Sequence, residues 1–211
     1  MSTGFPIAFA GQRIGLLGGS FDPAHDGHAH ITETALRRFC LDRIWWLVSP
    51  GNPLKPHGPA PLVQRIEMAR RVMGHPSVEI TDLEARLHTR LTADTIAALQ
   101  ARYRGVRFVW LMGSDNLAQF DQWNRWKEIA ARVPIGVLAR PGTHQSARTA
   151  RATRILGPAA RLPESRAQLL PFCRPPAWVL INMPMSQLSS TAIRSGHAGQ
   201  SEARQTEGKT R

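Results

Sequence analysis

The apolar run Ile14-Gly15-Leu16-Leu17 passes directly into Gly18-Gly19-Ser20-Phe21-Asp22-Pro23-Ala24-His25-Asp26-Gly27-His28. This order of residue types predicts a strand that runs into a glycine turn and delivers two histidines to the mouth of a helix. It restricts fold and chemistry together. Glycines let the backbone approach phosphates, a helix N-terminus favours anions, and histidines supply charge without a metal.

The same alternation continues along the chain. Strands are predicted at Arg13–Leu17, Arg43–Val48, Ser77–Ile80, Arg107–Met112, Val133–Ala139 and Ala177–Ile181. Helices are predicted at Gly27–Phe39, Leu62–Met73, Thr92–Tyr103 (capped near Leu91–Thr92 and ended by Gly105) and Trp123–Ala131, with a short last helix at Ser190–Ser195. Alternation of this kind predicts an α/β fold, a Rossmann-like doubly wound parallel sheet with helices on both faces and a short C-terminal helical motif. Ligands of such sheets bind at the carboxyl ends of the strands, near the switch in strand order. The polar clusters Gly18–His28, Ser49–His57, Gly113–Asp115 and Ser186–Arg194 all follow predicted strands and are expected to converge on one rim. Residues 1–12 read as a loose leader, 13–195 as one domain, and 196–211 as a disordered tail. Residues 143–175, rich in Pro, Arg and Ala, give no clear pattern.

A chain of 211 residues, 42% hydrophobic and 20% charged, suits one domain with a full core. No apolar run approaches the roughly 20 residues that span a bilayer, so no membrane partner is expected. Cys40 and Cys173 are too few for a disulfide framework, which points to a cytoplasmic protein. The net charge of +12 raises nucleic acid as a partner. Arg148, Arg151, Arg154, Arg161, Arg166 and Arg174, however, stand among Ala, Pro and Leu with only Phe172 as an aromatic. Single-strand binding wants stacking platforms beside the charge, so a solvated arginine-rich face, or else attraction of small polyanions, fits better than stable nucleic-acid binding.

The loop matches neither common phosphate motif. No Lys follows Gly19 as Walker A requires, and Gly15-x-x-Gly18-Gly19 is not the dinucleotide fingerprint. His25 and His28, three apart on a helical turn, face the same way. A zinc site needs further ligands, and His30 and Cys40 are misplaced for it, so no metal ligand is assigned.

Gly18–Pro23 with His25-Asp26-Gly27-His28 resembles the nucleotidylyltransferase superfamily and its His-x-Gly-His signature. Leu188-Ser189-Ser190-Thr191-Ala192-Ile193-Arg194 is similar to its second motif, Ile-Ser-Ser-Thr-x-Ile-Arg. Independently, hydroxyls and N–H groups at a helix start suit phosphate, and an arginine fork holds two phosphate oxygens. Within the superfamily the middle of the chain is most similar to the bacterial nicotinate-nucleotide adenylyltransferases. Trp110-Leu111-Met112-Gly113-Ser114-Asp115-Asn116 is similar to the Gly-Ser/Ala-Asp segment, and Trp123-Asn124-Arg125-Trp126 to the Trp-rich segment beyond it. Thr89–Thr95 resembles Ser/Thr-Tyr-Thr-x-Asp-Thr, with Leu91 at the usual aromatic position. Pro50–Pro56 and Arg140-Pro141-Gly142 also have counterparts.

The resemblance implies adenylyl transfer from ATP to nicotinate mononucleotide, giving nicotinate adenine dinucleotide and pyrophosphate in NAD biosynthesis. It implies His25, His28, Lys55 and Arg194 as catalytic residues. ATP would be held by Gly18, Gly19, Ser20, Phe21, Gly113, Asp115, Arg140, Ser189, Ser190 and Thr191. Nicotinate mononucleotide would meet Thr89, Thr92, Trp123 and Asn124, with Trp123 stacking on the ring or, alternatively, anchoring the core. Mg²⁺ would arrive mainly on the ATP phosphates. Other acceptors for the same motifs, phosphopantetheine or nicotinamide mononucleotide, stay open, as does a basic nucleic-acid-binding module. Oligomeric state is not legible.

Overall fold

The computed structural model describes residues 4–51, 59–139 and 150–183. Six strands form one sheet, all parallel: β1 (Arg13–Gly19), β2 (Arg43–Val48), β3 (Val78–Thr81), β4 (Arg107–Gly113), β5 (Ile135–Ala139) and β6 (Trp178–Asn182). Their order across the sheet is β3-β2-β1-β4-β5-β6. The chain therefore winds outward from β1 in one direction, returns to β1's other side, and winds outward again. The switch in order falls between β1 and β4, which pair from Arg13↔Arg107 to Leu17↔Leu111.

Side chains alternate across this sheet with period two. Ile14, Leu16, Trp45, Leu47, Phe108, Trp110 and Met112 enter one buried cluster. Leu17, Ile44, Trp46, Val48, Val109 and Leu111 enter the other. Helices α1 (Asp26–Arg38) and α2 (Leu62–Val72) cover the second face through Ile31, Ala35, Ile66 and Ala69. Helices α3 (Leu83–Arg86), α4 (Thr92–Arg102), α5 (Ser114–Ala118) and α6 (Trp126–Arg132) cover the first through Leu83, Ile96, Leu99, Leu117 and Ile129. Gly136 on β5 makes room for Phe39 at the end of α1, since a Cβ there would lie 2.6 Å from the ring. The doubly wound sheet expected from the sequence is the architecture observed, and no helix among the described residues is long and apolar enough to cross a membrane.

Two expectations need correction. The segment before β1 is not loose from Gly4 onward: Phe5 lies under the Arg102 guanidinium at 3.7 Å, and the Tyr103 hydroxyl donates to the Pro6 carbonyl at 2.8 Å. The helix expected from Trp123 begins at Trp126, because Arg125 takes a left-handed φ of 57° and Trp123 is extended. The cap expected near Leu91–Thr92 is found at Leu91, which makes no side-chain capping bond, and Asp94 in the first turn pairs with Arg125. Within 143–175, Arg151–Leu156 is a helix and Glu164–Phe172 a run of tight helical turns. The expected helix at Ser190–Ser195 lies outside the described residues.

Candidate active site

At the carboxyl end of β1 the chain turns through Phe21, whose φ of 46° is unusual for a side chain with a Cβ. Burial compensates. Phe21 is 1% exposed and its ring stacks on Trp46, with centroids 4.6 Å apart and planes 9° from parallel. His25 then caps α1. Its Nδ1 accepts the Gly27 N–H at 3.1 Å, while His28 Nδ1 accepts the His25 N–H at 3.3 Å. This is a capping box in which two histidines replace the usual hydroxyl and carboxylate. A ring nitrogen that accepts a hydrogen bond carries no proton, so both neutral rings bear theirs on Nε2.

The pair is held from behind. The rings lie 4.0 Å apart, and Phe21 lies 4.9 Å from His28. The Trp46 indole N–H donates to Thr32 Oγ1 at 2.8 Å, and the Thr32 hydroxyl donates to the His28 carbonyl at 2.8 Å. His25 is buried and His28 half-buried. The result is two neighbouring imidazoles of fixed tautomer on a helix N-terminus, a site suited to anionic oxygens.

Across the switch point, Gly113 closes β4 and caps α5, placing Ser114 inside and Asp115 outside. Trp110, one strand over from Gly18, links the two halves of the rim. A Cβ on Gly18 would lie 2.6 Å from its ring, and its other side meets Trp123 edge-on at 6.2 Å. Trp123 is half-buried and also meets Phe120 edge-on at 5.5 Å. Asn124 is exposed, and the next residue, Arg125, bonds Asp94 near the start of α4. Thr92 opens that helix. The Thr89 hydroxyl lies 2.8 Å from that of Thr95. Beneath them Glu84 is 6% exposed, and burial pushes its carboxyl up to about 7, against the lowering effect of a Thr95 hydrogen bond.

The structure thus gathers Gly18, Gly19, Ser20, Phe21, His25 and His28 at the end of β1, with Gly113 and Asp115 at the end of the neighbouring strand β4. It joins the Thr89–Thr92 and Trp123–Asn124 segments through Arg125. Lys55, Arg140, Ser189, Ser190, Thr191 and Arg194 lie outside the described residues. Trp110, Glu84 and the buried Arg65 were missed from sequence. Arg65 carries a signal: it lies four residues before buried Ala69 on the apolar face of α2. Among the described residues no group of three His, Cys, Asp or Glu side chains is placed to hold a metal ion.

A parallel sheet with an anion-seeking histidine pair at its switch point defines a nucleotide-handling α/β protein. Residues 16–196 match the cytidylyltransferase-like family. A "Probable nicotinate-nucleotide adenylyltransferase" of Roseobacter denitrificans is 60% identical over 195 residues, covering 92% of this chain and 98% of the relative. One of the same name from Cereibacter sphaeroides is 63% identical over 181 residues, covering 86% and 96%. The fold aligns with nicotinic acid mononucleotide adenylyltransferase of Plasmodium falciparum, solved with NaAD, at a TM-score of 0.65. That alignment covers 87% of this chain and 83% of the other at 16% identity, so it speaks for the fold. The chain belongs to the cytidylyltransferase-like family and, within it, to the nicotinate-nucleotide adenylyltransferases.

Proposed function

We propose that the domain spanning residues 13–195 transfers the adenylyl group of ATP to nicotinate mononucleotide in the cytoplasm, a step of NAD biosynthesis. The observation that carries this reading is the reciprocal histidine cap at the carboxyl end of β1. A phosphate oxygen of nicotinate mononucleotide attacks the α-phosphorus in line. The new P–O bond forms as the bond to the bridging oxygen breaks, and pyrophosphate leaves with that electron pair. The attacking phosphate is already anionic, so no general base is required. The barrier lies in bringing two polyanions together, and positioned donors lower it.

His25 and His28 then present Nε2–H donors to the ATP phosphates, with His28 nearest the α-phosphate. Gly18, Gly19, Ser20 and Phe21 line the approach, and Gly113 and Asp115 face the adenosine. Lys55, Arg140, Ser189, Ser190, Thr191 and Arg194 complete the ATP grip, Arg194 at the β/γ end. Trp123 stacks on the pyridine ring, with Asn124, Thr89 and Thr92 around its carboxylate. The described donors are N–H groups and imidazoles rather than a carboxylate cage. They fit Mg²⁺ as a companion of the triphosphate, where it would neutralise phosphate charge.

Pyrophosphate release with ATP, Mg²⁺ and one acceptor at a time tests the reading. Nicotinate mononucleotide is expected to be the fastest acceptor, and EDTA to abolish turnover. Faster turnover with phosphopantetheine or nicotinamide mononucleotide would refute the assigned acceptor. Tight, salt-sensitive RNA binding without pyrophosphate release would refute the enzyme.

A further inference from the structure

One buried cation has no part in this chemistry. Arg65, in the first turns of α2, is 1% exposed. Its Nε donates to the Ala60 carbonyl at 2.7 Å. One terminal nitrogen donates to the carbonyls of Ser20 at 2.6 Å and Ser49 at 2.8 Å, and the other to that of Pro50 at 3.4 Å. Burial opposes its charge, and the Asp22 carboxylate favours it. An apolar side chain would fill this place on a helix at less electrostatic cost. The cation therefore needs another reason to be here.

Its partners supply one. The ladder between β1 and β2 ends at Gly19↔Val48, with a last bond from the Ser49 N–H to the Gly19 carbonyl. Beyond that point the two strands part, and Ser20, Ser49 and Pro50 lie past the end of the ladder. Carbonyls drawn partly out of water still need donors. A single guanidinium fork reaches all three and the Ala60 carbonyl at the entry to α2, binding three segments into one unit. The Ser20–Phe21 peptide is planar, so fixing the Ser20 carbonyl also turns the Phe21 N–H away from Arg65. Phe21 itself sits in a strained left-handed conformation, which persists only when its surroundings over-determine it. Arg65 grips that residue's preceding carbonyl, as Trp46 grips its ring.

We propose that Arg65 is a positioning residue of the adenylyl-transfer site: its guanidinium sets the loop after β1 against the loop after β2, and so fixes the backbone on which His25 and His28 stand. The inference rests on the functional reading above for its kinetic consequence, and on geometry alone for its structural one. Arg65 touches no reacting atom. Displacing the loop should weaken ATP placement while leaving the pyridine side, which β4, α4 and Trp123 define, as it was.

Arg65→Lys and Arg65→Gln test this, since the first keeps charge and the second keeps donors. Pyrophosphate release is measured over separate ATP and nicotinate mononucleotide titrations, with the thermal midpoint recorded for each protein. In the folded variants kcat/KM for ATP should fall about 10- to 100-fold, through both constants, with KM for the acceptor unchanged. A merely structural role lowers only the active fraction and moves neither KM. The ¹⁵N signals of the two histidine rings report tautomer without turnover, and the variants should show a mixture where the wild type shows Nε2–H. An unchanged KM for ATP with unchanged ring signals overturns the proposal. Loss of fold in both variants also overturns it, since it assigns the guanidinium to the fold. If the wild type releases no pyrophosphate, the functional reading fails by itself, and the ring signals still decide the positioning claim.

Discussion

His28 is constrained at three points: its Nδ1 by the His25 N–H, its carbonyl by Thr32, and its ring by Phe21. A donor so fixed has little reorganisation left to do when charge develops, which is where preorganised groups gain their effect. His28→Ala should therefore lower turnover by about 10²–10³. The lost half of the capping box should cost about 1 kcal/mol of stability. Pyrophosphate release beside circular dichroism checks both, and near-wild-type turnover in a folded variant would remove His28 from the catalytic set. Glu84 makes a different kind of demand. Its folded pKa of about 7 exceeds the ordinary 4.5, so between these values the native protein holds a proton that the unfolded chain has released. Its stabilising contribution is full below the lower value, declines as pH rises, and is gone above the higher one. The ceiling is about 3 kcal/mol at about 1.4 kcal/mol per unit. Glu84→Gln should gain on the wild type by several degrees of melting temperature between pH 5 and pH 8. A gap that stays constant with pH would show that Glu84 is not the titrating group.

At the level of elements, β1 and β4 approach each other beside the site where Gly18 faces Trp110. The indole is 2% exposed, and its N–H is buried with no partner among the described residues, so only packing locates it. Gly18→Ala puts a methyl 2.6 Å from the ring, and overpacking of this kind costs about 1–3 kcal/mol. A lower melting temperature and a raised KM for the acceptor are expected together, because Trp110 buttresses Trp123. A stable variant with unaltered kinetics would show the contact to be slack. The six strands were legible in the sequence as short apolar runs, most of them buried on both faces, and α1, α2 and α4 as longer segments between turn signals. What escaped was set by tertiary contact. Trp123–Arg125 has a helical spacing of tryptophans, yet Arg125 leaves helical geometry to reach Asp94, 31 residues away. Leu83–Arg86 is a single turn, too short for a period to register. The histidine pair was legible from its spacing, but its tautomers were not, since these depend on which nitrogen meets which N–H. The role of Arg65 was not legible, because its partners among the described residues are backbone carbonyls, and its place on the apolar face of α2 hints only that it is buried.

For the molecule as a whole, the +12 charge is a long-range field rather than a set of contacts. It should speed the encounter with polyanionic ATP at low salt and fade as the Debye length contracts from about 30 Å at 0.01 M to about 8 Å at 0.15 M. Over that range kcat/KM for ATP should fall while kcat holds, in a sodium chloride series read by pyrophosphate release. A salt-independent kcat/KM would leave the field without a part in ATP capture. The strand order has a separate consequence, in time rather than space. β1 precedes the other five strands along the chain, but one of its two flanks is filled only by β4, about ninety residues later. At about 5–20 residues per second, the nascent chain spends about 5–20 s with the centre strand of its sheet open on that side. Parallel pairing at such separation is slow to close and exposed to wrong partners meanwhile. The seam that later carries the switch point is thus the last side of β1 to be closed in a growing chain.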